Sequence, residues 1–255
     1  MVSRTSCNRA HRNRTRSSIA VVFFDAAGTL FHLKGSVADV YLTYAEKYGV
    51  VPSVQLKQAV NQAFRAAFQQ APPPVFAADD PVTLKHCERL WWFDLVHAVF
   101  YRVGMFEGFD DFFDEVFEAF STGAHWRVIP ETVSVLQDLK AKGYELGIIS
   151  NFDTRLFTIL RELGIRHYFD SVTISSLAGA VKPAPKIFQV AVEQHVIDPS
   201  EAVHVGDSFA EDVEGALAAG LHPVWLTQEP VERPQHEPVS IIRTLTELPR
   251  VLEAW

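Results

Sequence analysis

The segment 19–30 reads I-A-V-V-F-F-D-A-A-G-T-L and decides how the rest of the chain is interpreted. Its apolar run ends at one carboxylate, Asp25, which is followed by two alanines, Gly28 and Thr29. A continuous apolar run of this length is typical of a strand that is buried on both faces of a parallel sheet. Such strands present functional groups at their carboxyl ends. Asp25 is therefore either a functional carboxylate or a turn former, since Asp and Gly both favour turns.

Length and composition indicate a globular protein with a substantial core. The chain has 255 residues, of which 48% are hydrophobic and 21% charged, and its net charge is −8. Nucleic-acid binding needs clustered lysines and arginines, so an acidic body of this kind argues against it. No apolar run approaches the roughly 20 residues that span a bilayer, so we expect no membrane insertion. The two cysteines suggest no disulfide framework and fit a reducing compartment.

The first 18 residues are rich in arginine and serine and are predicted to form a disordered basic tail. They contain no apolar segment of the kind that a secretory signal has, although their composition also resembles that of an organellar transit peptide. We therefore expect a cytoplasmic protein, with organellar import as the alternative.

Residues 36–125 show helical periodicity and are rich in aromatic side chains. Apolar residues recur at spacings of three and four, which predicts helices at about 37–48, 56–68, 81–104 and 110–120. Gly49 ends the first helix and the prolines at 72–74 end the second. Four such helices form a plausible helical subdomain, which we place at 35–125.

From residue 130 onward, predicted helices and strands alternate. The strands are expected at 145–150, 172–174, 202–205 and 223–226, and the helices at 131–142, 154–163, 185–195 and 209–219. This alternation specifies a parallel sheet with helices on both faces. The strand at 19–24 must join that sheet, because a helical bundle offers it no partner. The fold class is α/β, a Rossmann-like three-layer core (19–34 and 126–255) with an inserted helical domain.

Residues suited to a phosphate site follow the core strands. In chain order they are Ser150, Asn151, Lys182, Gly206, Asp207, Ser208 and Asp212. A strand ending in D-x-x-G-T, a later Ser-Asn, a lone Lys before Pro and then G-D-S-x-x-x-D resembles the haloacid dehalogenase (HAD) superfamily of hydrolases. The resemblance covers about residues 19–227, and it implies that the helical insert is a C1-class cap.

The amino-acid sequence of the insert is most similar to the rhythmically-expressed-gene-product-like branch of subfamily IA. The segments that carry this likeness are V-Y-L-T-Y-A-E-K-Y-G-V at 40–50 and W-W-F-D-L-V at 91–96.

The resemblance implies a role for each motif residue. Asp25 is the expected nucleophile, forming an aspartyl phosphate. Thr29, Ser150, Asn151 and Lys182 are the expected phosphate ligands, and Lys182 also balances charge in the reaction.

The resemblance also implies a bound Mg²⁺, held by Asp25, the carbonyl of Ala27 and Asp207. Ser208 and Asp212 are expected just outside this first layer of ligands. From the residues alone, Ser208 is also a helix cap with Glu211, and Asp212 suits a first helical turn. The implied ligand is a small phosphorylated metabolite, bound by a monomer or a homodimer.

The sequence departs from the family pattern at Ala27, where the superfamily's phosphatases have an aspartate that protonates the leaving oxygen and then activates water. Losing such an acid typically costs on the order of 10²–10⁴ in rate. One interpretation is therefore a phosphatase that hydrolyses phosphomonoesters or acyl phosphates with good leaving groups.

Two further interpretations stay open. One is a binding protein with little or no catalysis. The other is a phosphonatase-like enzyme that forms a Schiff base through a lysine of the insert, for which the available residues are Lys34, Lys47, Lys57 and Lys85. A haloacid dehalogenase is disfavoured by the retained G-D-S-x-x-x-D and by the lack of an obvious cap arginine. His86, Cys87 and His97 suggest packing or surface roles, and Trp91 and Trp92 suggest the core of the insert.

Overall fold

The computed structural model describes residues 19–230 and 239–255. The segments 1–18 and 231–238 lie outside this part of the chain. The strands are β1 (Val21–Phe24), β2 (Phe31–Leu33), β3 (Trp126–Val128), β4 (Glu145–Ser150), β5 (Ser171–Ile174), β6 (Ala202–Gly206), β7 (His222–Leu226) and β8 (Ser240–Ile242). The α-helices are α1 (Val37–Ala45), α2 (Val54–Gln70), α3 (Pro81–Val103), α4 (Phe109–Ser121), α5 (Thr132–Ala141), α6 (Arg155–Glu162), α7 (Ser175–Ala178), α8 (Pro185–Glu193), α9 (Gly215–Ala218) and α10 (Leu248–Glu253). Within 19–230 and 239–255, no helix has both the length and the apolar character that crossing a membrane requires.

A six-stranded sheet in the order β5-β4-β1-β6-β7-β8 forms the core, and every neighbouring pair is parallel. β1 lies between β4 and β6, and all four of its residues are buried. In the register, Phe24 faces Ile148 on one side and Val205 on the other. The carboxyl ends of the three central strands therefore meet at one edge of the sheet. The predicted α/β fold is confirmed.

Each face of the sheet is covered by helices. Val22 and Phe24 pack on one side with residues of α5 and α6, whereas Val21 and Phe23 pack on the other side with residues of α8. This split follows from the alternation of side chains along a strand. Since neither face of β1 meets water, both sets of side chains must be apolar, and the continuous apolar run is explained.

The inserted helices α1–α4 have a core of their own, as predicted. Tyr41 of α1, Phe100 of α3 and Phe112 of α4 are almost fully buried in it and contact one another edge-on or tilted. α1 ends earlier than predicted and continues as a 3₁₀ turn, Glu46–Tyr48, before Gly49 takes a left-handed conformation with φ of 83°. The limits assigned to this domain, 35 and 125, stay a prediction.

Two features were missed by the periodicity. A short antiparallel ribbon, β2 with β3, lies where the chain leaves the core and returns to it. β8 adds a further parallel strand beyond β7. Each of these strands has only three residues, too few to show an alternating pattern.

The predicted helix at 209–219 is also different in the structure. Its first part, Phe209–Glu214, is π-helical, and only Gly215–Ala218 is α-helical. A π-turn holds one more residue than an α-turn, and such turns occur often at functional sites. Here the wide turn contains Asp212, whose side chain points inward and is 2% exposed.

Buried polar contacts fasten the insert to the core beside the sheet edge. Glu88 of α3 accepts hydrogen bonds from the backbone N–H of Thr154 at 3.1 Å and from its hydroxyl at 2.5 Å. Trp92 of α3 donates its indole N–H to Asp153 at 2.6 Å. Asp153 is itself held by Arg155 through bonds of 2.9 and 2.6 Å. These bonds fix where the insert lies relative to the ends of the core strands.

We expect Glu88→Ala to lower the free energy of unfolding by about 1–3 kcal/mol, because two hydrogen bonds from half-buried Thr154 to the buried Glu88 carboxylate would be lost. Glu118→Ala, on the exposed side of α4, is the matched control and should change it by less than about 0.5 kcal/mol. Urea unfolding of both variants checks this. Equal values for the two would show that the Glu88 contact does not stabilise the fold.

Candidate active site

Asp25 lies at the first position after β1, and its backbone N–H donates to the carbonyl of Val205 at 2.8 Å. Its Oδ1 accepts hydrogen bonds from Lys182 Nζ at 2.6 Å and from Ser150 Oγ at 3.1 Å. Ser150 ends β4, so two neighbouring strands supply the carboxylate and one of its donors. The structure thus brings together three of the residues that the sequence singled out.

Lys182 is the centre of the charged cluster, and its side chain is only 1% exposed. Its Nζ lies 2.6 Å from Asp25 and 2.6 Å from Asp212. Asn151 holds the backbone of Lys182 from both sides, accepting its N–H at 2.7 Å and donating to its carbonyl at 3.0 Å. The Asn151 side chain is therefore occupied in positioning Lys182, and the Lys182–Pro183 peptide bond is cis.

Burial disfavours the charged forms of Asp25, Lys182 and Asp212. For Lys182 and Asp212, however, the neighbouring charges decide the direction of the pKa shift. Burial alone lowers the pKa of Lys182, yet Asp25 and Asp212 outweigh it and hold this pKa above its ordinary value. Burial raises the pKa of Asp212, but Lys182 and His204 bring it well below the usual range. For Asp25, burial wins over the attraction of Lys182, and Asp212 adds to it, so its pKa is raised. Two carboxylates thus share one ammonium.

Asp212 has more partners than a helix-capping role requires. Its Oδ1 accepts from Lys182 and from His204 Nε2 at 2.9 Å, and its Oδ2 accepts from the backbone N–H of Ser208 at 3.0 Å. His204 is fully buried, which lowers its pKa. Ser208 caps the following turn by accepting from the N–H of Glu211. The reciprocal bond goes to Asp212 instead of Glu211, so the predicted capping box forms only in part.

Asp207 follows β6 and lies beside the loop after Asp25. A Cβ placed on Gly28, which has φ of +102°, would come within 2.6 Å of Asp207 Oδ2, so glycine permits this close approach. Burial and the charges of Asp25 and Asp212 raise the pKa of Asp207 to about 6. Thr29 is fully buried and donates its hydroxyl to Asp207 Oδ1 at 3.4 Å.

These residues line a cleft of about 400 Å³ at the carboxyl edge of the sheet. Of the predicted site residues, the cleft is lined by Asp25, Ala27, Ser150, Asn151, Lys182, Asp207, Ser208 and Asp212. Thr29 is not among the lining residues; it is fully buried, and its hydroxyl donates to Asp207. On its other side the cleft is bounded by the proline segment at 72–74, and by Trp91, which donates its indole N–H to the Pro72 carbonyl.

Glu211 is a lining residue that sequence reasoning did not assign to the site. It accepts a hydrogen bond from Asn151 Nδ2 at 3.0 Å, and burial raises its pKa. The sequence places it three residues after Ser208, where a capping residue belongs. Its position next to Asp212 was the available signal, but only the π-helical turn directs its side chain to the cleft.

The four lysines weighed for Schiff-base chemistry do not reach the cleft. Lys34 donates to the carbonyl of Ala124, Lys47 pairs with Glu115 and Lys57 pairs with Asp39. Lys85 is exposed on α3. Among the described residues, Lys182 is the one lysine that lines the cleft, so the phosphonatase-like interpretation has no support from the geometry.

The other residues considered for metal binding lie apart from the cleft. His97 stacks with Phe93 and Tyr101 on α3, as expected for packing. Within residues 19–230 and 239–255, no group of three or more His, Cys, Asp or Glu side chains is arranged as a metal site. Mg²⁺ does not need such a group, since it keeps several waters and is bound through one or two carboxylates.

A parallel α/β sheet with a carboxylate, a buried lysine and a second acidic loop at its carboxyl edge fits the class of hydrolases with a HAD-like core. The family model of haloacid dehalogenase-like hydrolases matches residues 19–220. This chain belongs to that family.

Two relatives extend the comparison. Haloacid dehalogenase-like hydrolase domain-containing protein 3 of Mus musculus is 32% identical over 249 residues, 96% of this chain and 95% of that protein. Glyceraldehyde 3-phosphate phosphatase of Methanothermobacter thermautotrophicus is 37% identical over 133 residues, 49% of this chain and 59% of that protein. The second likeness spans only about half of either chain.

Solved structures share the whole architecture. A HAD phosphatase from Thermococcus onnurineus has a TM-score of 0.63 at 26% identity, covering 92% of this chain and 97% of that one. A 2-haloacid dehalogenase from Pseudomonas syringae scores 0.62 at 27% identity, covering 93% and 99%. The HAD hydrolase YfnB of Bacillus subtilis, bound to magnesium, scores 0.70 at 16% identity, covering 92% and 99%. The likeness includes a phosphatase and a dehalogenase, so the reaction must be argued from the site.

We expect Lys182→Met to lower the free energy of unfolding at pH 7.5 by about 3–5 kcal/mol, because two buried carboxylates lose their cation. Lys186→Met, at an exposed lysine four residues later, is the control and should change it by less than about 0.5 kcal/mol.

The loss should shrink as the pH falls from 7.5 to 5. In the wild type the lowered pKa of Asp212 gives stability that is present above its ordinary pKa and is lost only in stronger acid. In the variant, Asp25 and Asp212 have no cation beside them, so burial raises their pKa values. Burying their negative charges then destabilises the fold at high pH, and protonation at low pH removes this cost. Urea unfolding at both pH values measures the difference, and a constant loss would contradict this electrostatic account.

Proposed function

We propose that the chain is a Mg²⁺-dependent phosphatase of small phosphorylated metabolites, with Asp25 as the nucleophile. The observation that carries this proposal is the bridge of Lys182 between Asp25 and Asp212 inside a cleft. A carboxylate that attacks phosphorus must approach an anionic substrate, and a fixed ammonium beside it reduces the repulsion. The archaeal glyceraldehyde 3-phosphate phosphatase and the Thermococcus phosphatase support the reaction class.

Each residue in the cleft has a part in this reaction. The Asp25 carboxylate forms a bond to phosphorus while the bond from phosphorus to the leaving oxygen breaks, which gives an aspartyl phosphate. Ser150 and Lys182 hold the carboxylate in place and donate toward the phosphoryl oxygens. Asn151 fixes the backbone of Lys182. Asp212 keeps the ammonium charged, since its contact contributes to the raised pKa of Lys182.

The residues present also fit a magnesium ion. Asp25, Asp207 and the carbonyl of Ala27 offer the hard oxygen ligands that Mg²⁺ prefers. The raised pKa of Asp207 reflects burial together with an excess of negative charge from Asp25 and Asp212, and a divalent cation would relieve that excess. Thr29 orients Asp207 through its hydroxyl. When bound, the ion would supply positive charge next to the phosphoryl oxygens.

Ala27 sets the limits of the activity. Its methyl group cannot protonate a leaving oxygen, so substrates whose leaving groups depart unassisted are favoured. Acyl phosphates and phosphomonoesters of acidic alcohols meet this condition. The same observation favours the second candidate, a protein that binds a phosphorylated ligand with little turnover.

We expect the protein to hydrolyse acetyl phosphate and 4-nitrophenyl phosphate, and Asp25→Asn to lower kcat/KM by at least about 10³-fold, since it removes the nucleophile. Ala27→Asp should raise kcat for phosphates with poor leaving groups by about 10²–10⁴-fold. Phosphate release, measured with and without Mg²⁺, checks both. Turnover that persists in Asp25→Asn would exclude Asp25 as the nucleophile. Inert wild type with an active Ala27→Asp would favour the binding protein, and chloride release from 2-chloropropionate would favour a dehalogenase.

We expect Asp207→Asn to raise the Mg²⁺ concentration for half-maximal activity by at least about tenfold, because one anionic ligand becomes neutral. Asp110→Asn, an exposed substitution on α4, is the control. Titration of activity with MgCl₂ measures the effect. An unchanged magnesium requirement in Asp207→Asn would place the ion elsewhere.

A further inference from the structure

A second cavity, between the insert and the core, adjoins the cleft. This cavity has a volume of about 340 Å³ and shares two lining residues, Ala27 and Phe152, with the cleft. We call it the aromatic chamber. A ligand whose phosphate lies beside Asp25 therefore has the chamber within reach of its organic part, past the methyl group of Ala27.

The lining of the chamber is apolar on nearly every side. Fifteen residues form it, among them Trp92, Phe113, Val116, Phe117 and Trp126. Eight of these fifteen residues are Phe, Tyr or Trp. Within the described part of the chain, no Asp, Glu, Lys or Arg lines the chamber. Apolar walls of this kind give affinity to rings and hydrocarbon groups.

One charged side chain that packs against the aromatic wall, Arg155, is already neutralised by a partner. Arg155 lies over the rings of Trp92 and Phe117, at 4.7 and 4.5 Å from their centres. Its guanidinium is paired with Asp153, and both side chains are buried, at 10% and 5% exposure. Arg155 therefore supports the aromatic wall from behind, and its charge is committed to Asp153 instead of to a ligand.

We propose that the organic part of the substrate is an uncharged aromatic group, so that the enzyme hydrolyses aryl phosphate monoesters; this inference rests on the proposed function. Two independent observations lead to the same class. The chamber accepts a ring, and a site without an acid at position 27 requires a leaving group that departs without protonation. An aryloxide satisfies both conditions, because it is a much weaker base than an alkoxide.

The size of the chamber fits one ring or two fused rings. An engineered apolar cavity of roughly 150 Å³ binds benzene, and the chamber has about twice that volume. A sugar of similar size would enter with hydroxyl groups that find almost no partners on these walls, which makes its burial unfavourable.

The reaction is balanced without any further reactant than water. A carboxylate oxygen of Asp25 bonds to phosphorus as the bond from phosphorus to the aryl oxygen breaks, and the electron pair leaves with the aryloxide. The aryloxide takes a proton from water. A water molecule then bonds to the phosphorus of the aspartyl phosphate as the bond from phosphorus to the Asp25 oxygen breaks. The proton that this water loses neutralises the hydroxide left by the first step, so inorganic phosphate is released and Asp25 is restored as a carboxylate.

The test compares phenyl phosphate, 2-naphthyl phosphate and glucose 6-phosphate, with acetyl phosphate as a small reference substrate. Phenol and 2-naphthol are similar in acidity, so their difference reports apolar contact. We expect kcat/KM for 2-naphthyl phosphate to exceed that for phenyl phosphate about tenfold and that for glucose 6-phosphate at least 100-fold. Equal values for the two aryl esters, or a preference for the sugar phosphate, would overturn the inference.

A matched pair of variants locates the effect. Val116 and Val99 are both buried in the insert, but of the two only Val116 lines the chamber. Val116→Thr adds a hydroxyl to the chamber wall and should lower the ratio of 2-naphthyl phosphate to acetyl phosphate hydrolysis about fivefold. Val99→Thr should leave this ratio within twofold of the wild type. The same change in both variants would show that the chamber does not select the substrate.

The outcome separates the two proposals. Hydrolysis of acetyl phosphate without aryl preference leaves the phosphatase in place and overturns the aromatic substrate. If no substrate turns over, the proposed function fails and the chamber is tested by binding. Asp25→Asn protein, followed by tryptophan fluorescence, should then bind 2-naphthyl phosphate at least tenfold more tightly than inorganic phosphate, and Val116→Thr should reduce this advantage. Equal affinities would overturn the inference.

Discussion

The ammonium of Lys182, buried between Asp25 and Asp212, is the interaction on which the active site depends. Its two contacts of 2.6 Å join a loop after β1, the loop that carries Lys182 and the π-helical turn after β6. Removing three charges from water is costly, and the cost is offset only while each charge keeps its partners. The cluster therefore constrains all three segments at once. A small shift of any one of them would leave a charge unpaired in the interior.

Several neighbouring contacts are best understood as supports for this cluster. Asn151 fixes the backbone of Lys182 with two hydrogen bonds. His204 donates to one oxygen of Asp212, and the N–H of Ser208 donates to the other. Gly206 allows Asp212 to approach, because a Cβ at that glycine would lie 2.1 Å from the Asp212 carboxyl carbon. The π-helical turn also supports the cluster, since it directs Asp212 toward Lys182 and away from solvent.

The sequence was sufficient for the frame of the site but not for its inner arrangement. Strands buried on both faces have unbroken apolar runs, so β1 and β4 could be placed, and parallel pairing then requires Asp25 and Ser150 to meet. The direction of Thr29 toward Asp207 and the entry of Glu211 into the cleft could not be predicted. Both depend on where a loop or a wide turn lies in three dimensions. The local pattern of residues would be the same whether these side chains pointed into the cleft or away from it. The aromatic chamber was equally hidden, because Trp92, Phe117 and Trp126 are ordinary core residues until the insert packs against the core.

Ala27 lines both the cleft and the aromatic chamber. An aspartate here would place a carboxylate at the boundary between the cleft and the aromatic chamber, where it could protonate a leaving oxygen. The same carboxylate would add charge to a passage whose further walls are rings and hydrocarbon, and burying it there would disfavour an apolar ligand. The cleft already holds Asp25, Asp207, Glu211 and Asp212 against one lysine, so a fifth carboxylate would also increase the repulsion that raises the pKa of Asp207. Alanine removes both costs at once. The missing acid at position 27 and the aromatic walls that other residues supply are thus compatible with each other, and together they favour an apolar ligand whose leaving group needs no proton.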